Sequence, residues 1–332
     1  MTYNPYVANQ QATITQLFET YVNSLATRGA KSTQAVKRIL DKVADFVGAD
    51  TPINHISAEQ ICEFLAGLYS NNAPAYTAWT RATLRSAWNW GKKSDYDYKS
   101  KIGIRFGIKV NPIDSIPSDN AALCASRERY ITQMEIPDYL SFLEQHRENP
   151  SSAVLLLALL SGSRIEEICN LRVCDFNKEQ GTIYFPQTKI GNSHTIALGS
   201  WATSILTYWV DGKADNDFIF QSARSSKAIT NKTVYRFFIG AKLEGACPRD
   251  SRRTFLTLGH AMGLDRGILD MIQNHTDNSN IASKHYDKVK STPEYLEWCR
   301  VALNRWEGFL TGLRKVKMAA YIRGAFLEDG QA

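Results

Sequence analysis

Residues 153–160, Ala-Val-Leu-Leu-Leu-Ala-Leu-Leu, constrain this chain more than any other segment. A run that is apolar on every side cannot lie on a protein surface, and it is far too short to cross a bilayer. It predicts a helix over 151–160 with other elements packed round all its faces. That demands a domain with a large core. A chain of 332 residues has room for a second domain, and 44 % hydrophobic with 22 % charged residues is ordinary globular composition.

The first third reads as helices. Ile14, Leu17, Phe18, Tyr21, Val22 and Leu25 recur at helical spacing until Arg28-Gly29. Val36, Ile39, Leu40, Val43, Phe46 and Val47 mark a second helix between Ser32/Thr33 and Gly48. Ser57 and Gln60 form a capping box before Ile61, Phe64 and Leu65. A fourth helix, over 74–90, carries Arg81 and Arg85, followed by Lys92 and Lys93, beside Trp79, Trp88 and Trp90. These four cations are the first domain's candidates for a polyanion surface. Two prolines in residues 109–120 break helix and strand alike. We therefore expect a helical domain in 1–110, a linker in 111–126 and a second domain in 127–332. Thr132 is expected to open a helix there. Residues 182–185 and 194–198 are β-rich and flank Gly191-Asn192, which predicts a hairpin with Lys189 near its tip. Helical patterns then resume to the end. The expected fold is mostly α with a small antiparallel β-hairpin or sheet in the second domain.

Lys and Arg number 39 against 33 Asp and Glu, a formal charge of +6 that suits a polyanionic partner without demanding one. Six cysteines without a CxxC pair offer neither zinc-ligand spacing nor a disulfide framework. Residues 1–11 lack the basic-then-apolar pattern of a signal peptide. We expect a soluble cytoplasmic protein associated with the nucleoid.

Taken singly, the polar residues of the second domain are unremarkable. Arg164 follows the buried helix in Gly162-Ser163-Arg164-Ile165-Glu166-Glu167, where it could cap a helix or pair with Glu167. Arg249, Arg252 and Arg253 could form a charged helical turn. His275 could be a surface histidine, and Tyr286 a half-buried tyrosine. Their order is another matter. An Arg in a G-x-R-x-x-E turn, a hairpin Lys189, a box from Arg249 to Arg252 followed by Arg253-Thr254-Phe255, Asn274-His275 and then Tyr286 resembles the tyrosine recombinase, or phage integrase, family. The resemblance spans nearly the whole chain, since the four-helix first domain is similar to that family's core-binding domain.

The resemblance implies site-specific DNA recombination, of the kind mobile-element integrases perform, through a 3′-phosphotyrosyl intermediate. Attack on a phosphodiester builds negative charge on its non-bridging oxygens, which paired guanidinium hydrogen bonds hold in a way lysine cannot copy. Arg164 and Arg252 would be that clamp, with Glu167 orienting Arg164. A free tyrosine titrates near ~10, so about one in a thousand is phenolate at neutral pH, a deficit of roughly 4 kcal/mol that nearby cations reduce. Tyr286 would be the nucleophile, Lys189 the acid that protonates the leaving 5′-hydroxyl, and His275 a hydrogen-bonding partner of the phosphate. Energy is kept in the ester, so no cofactor and no metal is expected, and no Walker-type loop or carboxylate cluster stands in the sequence.

The chain departs from the family pattern at Arg249, which stands where a histidine is usual and cannot act as a base. The proton of Tyr286 would leave through water or a neighbour such as His285. The partners implied are double-stranded DNA, accessory DNA-bending proteins, and further copies of the chain in a tetramer on DNA. Leu296, Cys299, Leu303, Trp306, Leu310 and Leu313 alternate steps of three and four, a seam expected to be shared between protomers. Two alternatives stay open at this point. One is relaxation of DNA in the manner of a type IB topoisomerase, and the other is a DNA-binding regulator without activity.

Overall fold

The computed structural model describes residues 11–30, 32–71, 73–98, 103–119, 128–188, 192–275 and 292–328. The chain divides into two compact units, Met1–Arg127 and Glu128–Ala332. Each has a hydrophobic core of its own.

The first unit is built on α1 (Ile14–Thr27), α2 (Thr33–Val47), α3 (Ala58–Ser70) and α4 (Pro74–Ser94). Capping boxes open α1 (Thr13 with Gln16) and α3 (Ser57 with Gln60), satisfying backbone N–H groups that a helix start otherwise leaves unpaired. Gly48, at φ 93°, ends α2 in a conformation other residues avoid. The apolar faces converge on Leu17, Ile39, Leu40, Leu84 and Trp88, and Trp88 meets Phe18 edge-on at 5.5 Å. The tryptophans of α4 thus serve the core. Residues 111–116, expected in a linker, also fold back onto this unit. The prolines stop helix and strand, yet Ile113 is fully buried and Ile116 nearly so. Asn111 fixes the turn by donating to the Arg85 carbonyl at 3.0 Å and accepting from Ile113 N at 3.0 Å.

The second unit encloses the all-apolar helix foreseen in the sequence. In α6 (Pro150–Ser161) every residue from Ser151 to Ser161 is buried except Leu156. It is wrapped by α5 (Ile136–Gln145), α7 (Ile165–Cys169), α8 (Ser200–Val210), α9 (Asn231–Phe238), α10 (Asp250–Ala261) and α12 (Pro293–Glu328). The short α11 (Arg266–Ile272) packs on α10 and α12. Helix α5 begins four residues after Thr132, because Thr132 N and Oγ1 first bond the Glu135 carboxylate in a turn. The expected hairpin is β2 (Thr182–Phe185) with β3 (His194–Ala197), Phe185 opposite His194 and Thr182 opposite Ala197. A third strand, β1 (Phe176–Asn177), pairs with β2, and a separate hairpin joins β4 (Gln221–Ser222) to β5 (Ser225–Ala228).

The seam on α12 is not available to a second protomer. Cys299, Leu303, Trp306 and Leu310 are essentially fully buried within their own unit, with Leu296 and Leu313 packed at its margin. Trp306 Nε1 donates to the Leu159 carbonyl at 2.9 Å, tying α12 to α6. A three-four alternation is what any helix with one buried face displays, so the pattern could not distinguish its own core from a partner's.

Candidate active site

Arg164 is positioned by a turn that only glycine can make. Gly162 ends α6 in the left-handed region (φ 63°), and a Cβ there would stand 2.3 Å from the Phe255 ring. Conformation and space therefore both require glycine. The chain then runs extended through Arg164 (φ −75°, ψ 135°), which precedes α7 and leaves the core at its edge. One turn into α7, Glu167 pairs with the Arg164 guanidinium at 2.9 Å. The two side chains keep 23 % and 11 % of their surface, so this pair is shielded well enough to fix an orientation.

Arg252 enters from the first turn of α10. That turn is held by Asp250, which is fully buried, accepts from Cys247 N at 2.8 Å and pairs with Arg253 at 3.2 Å. The Arg252 guanidinium donates to the Gly162 carbonyl at 2.8 Å and to the Gln273 carbonyl at 2.6 Å. Gln273 reciprocates, its Nε2 donating to the Arg252 carbonyl at 2.8 Å. Burial, reinforced by the Arg164 cation, pushes the Arg252 pKa down to about 9 against the pull of Glu167 and Asp270. It remains protonated at neutral pH. Two cations that repel each other in a partly dry pocket are the electrostatic signature of an anion site.

His275 closes the arrangement beyond α11. Asn274 takes a left-handed turn (φ 49°) that aims the chain back, and His275 N donates to the Asp270 carbonyl at 2.9 Å. The imidazole Nδ1 lies 3.2 Å from Asp270 Oδ1, and Asp270 Oδ2 accepts from Arg266 at 3.0 Å. The carboxylate assigns the tautomer, with Nδ1–H donating and a lone pair on Nε2. Burial and the nearby Arg252 cation lower the His275 pKa although Asp270 raises it, so the neutral ring prevails at pH 7. The ring retains 41 % of its surface, enough to meet a ligand.

The hairpin is fastened to the same turn. His194 bonds the Ile272 carbonyl through Nε2 at 3.0 Å, and Asn274 Nδ2 reaches Thr188 Oγ1 at 3.4 Å. Thr188 also bonds the Asn192 carbonyl, at 2.8 Å from Oγ1. Lys189 lies outside the described residues, as do His285 and Tyr286. What is described is the anchor beside Lys189, one residue away in sequence and bonded to the neighbour of His275. Gly162-Arg164, Arg252 and Gln273-His275 thus meet in one place from three separate stretches of chain. Residues 129–292, which contain them all, match the phage integrase family. This unit belongs to the phage integrase family.

Relatives differ in how much of the chain they match. A tyrosine recombinase of Thermosipho africanus is 21 % identical over 271 residues, 80 % of this chain and 92 % of that protein. The tyrosine recombinase XerA of Pyrococcus furiosus is 25 % identical over 182 residues, 50 % of this chain and 62 % of its own length. Among solved structures, a lambda integrase (75–356) dimer bound to a COC′ core site superposes with a TM-score of 0.63 at 19 % identity, covering 81 % of this chain and 97 % of that one. The Tn1549 transposon integrase in complex with transposon right-end DNA gives 0.60 at 16 % identity, covering 84 % and 99 %. At such identities the structures establish a shared fold, mostly helical with small antiparallel sheets.

Other residues singled out in the sequence fall apart from this cluster or at its margin. Arg249 is exposed at the N-cap of α10, one turn before Arg252, whose backbone N–H donates to the Arg249 carbonyl at 3.2 Å. In the first unit, Arg81 donates to the carbonyls of Ile113 and Ile116, and Arg85 pairs with Asp114 at 2.6 Å. Both hold the 112–116 turn against α4. Lys92 and Lys93 are exposed at the C-terminal end of α4. Gln273 and Asp270 went unmarked in the sequence. Their partners stand 21 residues upstream and five residues downstream, and neither residue type signals such a bond.

Proposed function

We propose that this chain cuts and rejoins DNA at specific sites as a tyrosine recombinase, with Arg164 and Arg252 as the clamp on the scissile phosphate. The observation that carries this reading is the pair of guanidiniums brought to one pocket, each pre-set by its own carboxylate or carbonyls. Such donors cost little reorganisation when charge develops on the phosphate. Tyr286 attacks the phosphorus, the 3′-phosphotyrosyl ester forms, and Lys189 gives a proton to the departing 5′-hydroxyl. A 5′-hydroxyl of another strand then reverses these steps.

Burial argues for Tyr286 over its nearest competitor. Tyr295 is fully buried, its hydroxyl within 3.5 Å of the Met271 carbonyl and its pKa driven up by desolvation, so it neither reaches DNA nor ionises readily. His275 takes a role that the family pattern gives elsewhere. With Nδ1–H committed to Asp270, its Nε2 accepts the tyrosine proton, and the resulting imidazolium then donates to the phosphate. Arg249 adds charge at the mouth of the site.

The dimers and tetramers in which lambda integrase is seen on DNA suggest assembly here as well. With the seam of α12 buried, the part left for a neighbouring protomer is the end of the helix, beyond the Arg314–Glu144 ion pair, where Val316 keeps 69 % of its surface. Removing residues after Lys315 should spare DNA binding and cleavage while abolishing synapsis. The reading as a whole is tested with a nicked suicide duplex in EDTA. A covalent protein–DNA band without metal is expected, whereas cleavage that needs magnesium would refute the mechanism.

A further inference from the structure

We propose that Thr254 is a positioning residue for Arg252, acting with the segment 129–132 at the start of the second unit. The inference rests on the recombination reading. In the first turn of α10, Arg252 reaches toward Gly162 and Gln273 while its neighbours turn the other way. Asp250, Ser251 and Thr254 are fully buried, beside the core residues Ile131, Tyr139 and Phe255. Valine has nearly the shape of threonine and no hydroxyl to take out of water, so a polar group here calls for a physical reason.

The bonds of that hydroxyl supply one. Thr254 Oγ1 accepts from Ile131 N at 2.7 Å and donates to the Asp250 carbonyl at 2.8 Å, one turn back in its own helix. The first bond joins points 123 residues apart and satisfies a buried amide that lies outside any helix or strand. Ser251 adds a second tie, its hydroxyl 3.2 Å from that of the fully buried Tyr139 on α5. The far end of the first tie is itself fixed. Arg129 donates to the Glu244 carbonyl at 3.3 Å and pairs with Glu135 at 2.5 Å, and Thr132 N donates to the same carboxylate at 2.9 Å. Ile131, between them, is fully buried.

Apolar packing alone lets a helix slide a little along its neighbours, whereas hydrogen bonds set distance and direction. Arg252 depends on such control. Its guanidinium must meet two carbonyls from separate stretches at 2.8 and 2.6 Å, and Phe255 in the same helix closes against Gly162 with no room for a Cβ. Misplacing a group at the reacting centre by about 1 Å can cost on the order of a hundredfold in rate. The strap from Ile131 to Thr254 holds the Arg252 turn from behind, while Gln273 holds it from the front.

Single-turnover adduct formation by the full-length chain on a nicked duplex, read beside duplex affinity and urea unfolding, decides the matter. Thr254→Val should slow the adduct about tenfold, with affinity within about twofold of wild type. Thr254→Ser keeps the oxygen and should restore the rate to within about twofold of wild type. Trp306→Phe deletes another buried bond of the same unit, to the Leu159 carbonyl, and should lower stability while leaving the rate per folded molecule alone. Should Thr254→Val not fold, Arg129→Gln loosens the same segment from its rim and should slow the adduct several-fold at unchanged affinity. A wild-type rate in the variant so measured, a loss that serine does not restore, affinity falling in step with rate, or an equal loss in Trp306→Phe would each overturn the proposal. In all of these the wild type still forms its adduct and recombination stands. A wild-type chain that forms no adduct would remove both.

Discussion

Two pairs of arginines in this molecule look alike in sequence and behave as opposites. Arg81 and Arg85 sit one turn apart on α4, and their guanidiniums are neutralised by an aspartate or absorbed by carbonyls of their own unit. Arg164 and Arg252 come from points 88 residues apart in the chain, also hold carbonyls and a carboxylate, and yet lie close enough that the Arg164 charge weakens the hold of Arg252 on its proton. What separates structure from function here is residual charge. A cation satisfied by its surroundings stabilises a fold, whereas two cations left in mutual repulsion await a third, anionic party.

Substitutions can break or sharpen that contrast. The largest effect is expected for Arg252→Ala, which should cut the single-turnover rate of adduct formation by about 10²–10³-fold or more while DNA affinity changes little, since the missing interaction matures in the transition state. Gln273→Leu should follow, lowering the rate roughly tenfold, because the Arg252 carbonyl loses its donor and the clasp loosens. A rate equal to wild type would show that the two guanidinium bonds suffice. Arg81→Ala should leave the rate per folded molecule alone and cost about 1–3 kcal/mol in urea unfolding of the first unit, the penalty for taking the guanidinium donor from the Ile116 carbonyl. Arg85→Ala, whose ion pair is about half exposed on both sides, should cost less than about 1 kcal/mol. A loss of cleavage in either α4 variant would erase the distinction.

Acidity sharpens the same comparison within the site. The His275 pKa lies below its ordinary 6.5, so the proton-accepting neutral ring dominates at pH 7 and is lost only as pH falls through that lower value. The rate of adduct formation should therefore hold from pH 8 to the mid-6 region and decline below it. Asp270→Asn removes the group that raises this pKa. It should shift the decline to still lower pH and reduce the plateau, because the tautomer is no longer fixed. An acid limb that ignores both His275→Gln and Asp270→Asn would return the proton to water or His285.

Much of this was legible in the sequence wherever the signal is local. The buried helix showed itself by apolarity on all sides, the hairpin by β-rich runs round Gly191-Asn192, and the Arg164 turn by a glycine that its φ and Phe255 both require. What stayed hidden depends on distant partners. Nothing near Arg81 announces that its acceptors lie 32 and 35 residues onward, and nothing near Asp95 announces Phe106 and Gly107. The two-residue β1 and β4 are too short for an alternating pattern, and exist because neighbouring backbone offers a pairing edge. The seam of α12 was visible, but which surface it meets is settled only by the fold around it.

The account stands most directly on where DNA becomes attached. A suicide duplex whose 5′-hydroxyl fragment diffuses away should trap the chain on a 3′-phosphate. Digestion and mass spectrometry should then place the nucleotide on the peptide 284–288, at Tyr286, with Tyr286→Phe binding DNA as wild type but forming no adduct. Attachment at another tyrosine, or through a 5′-phosphate, would contradict it.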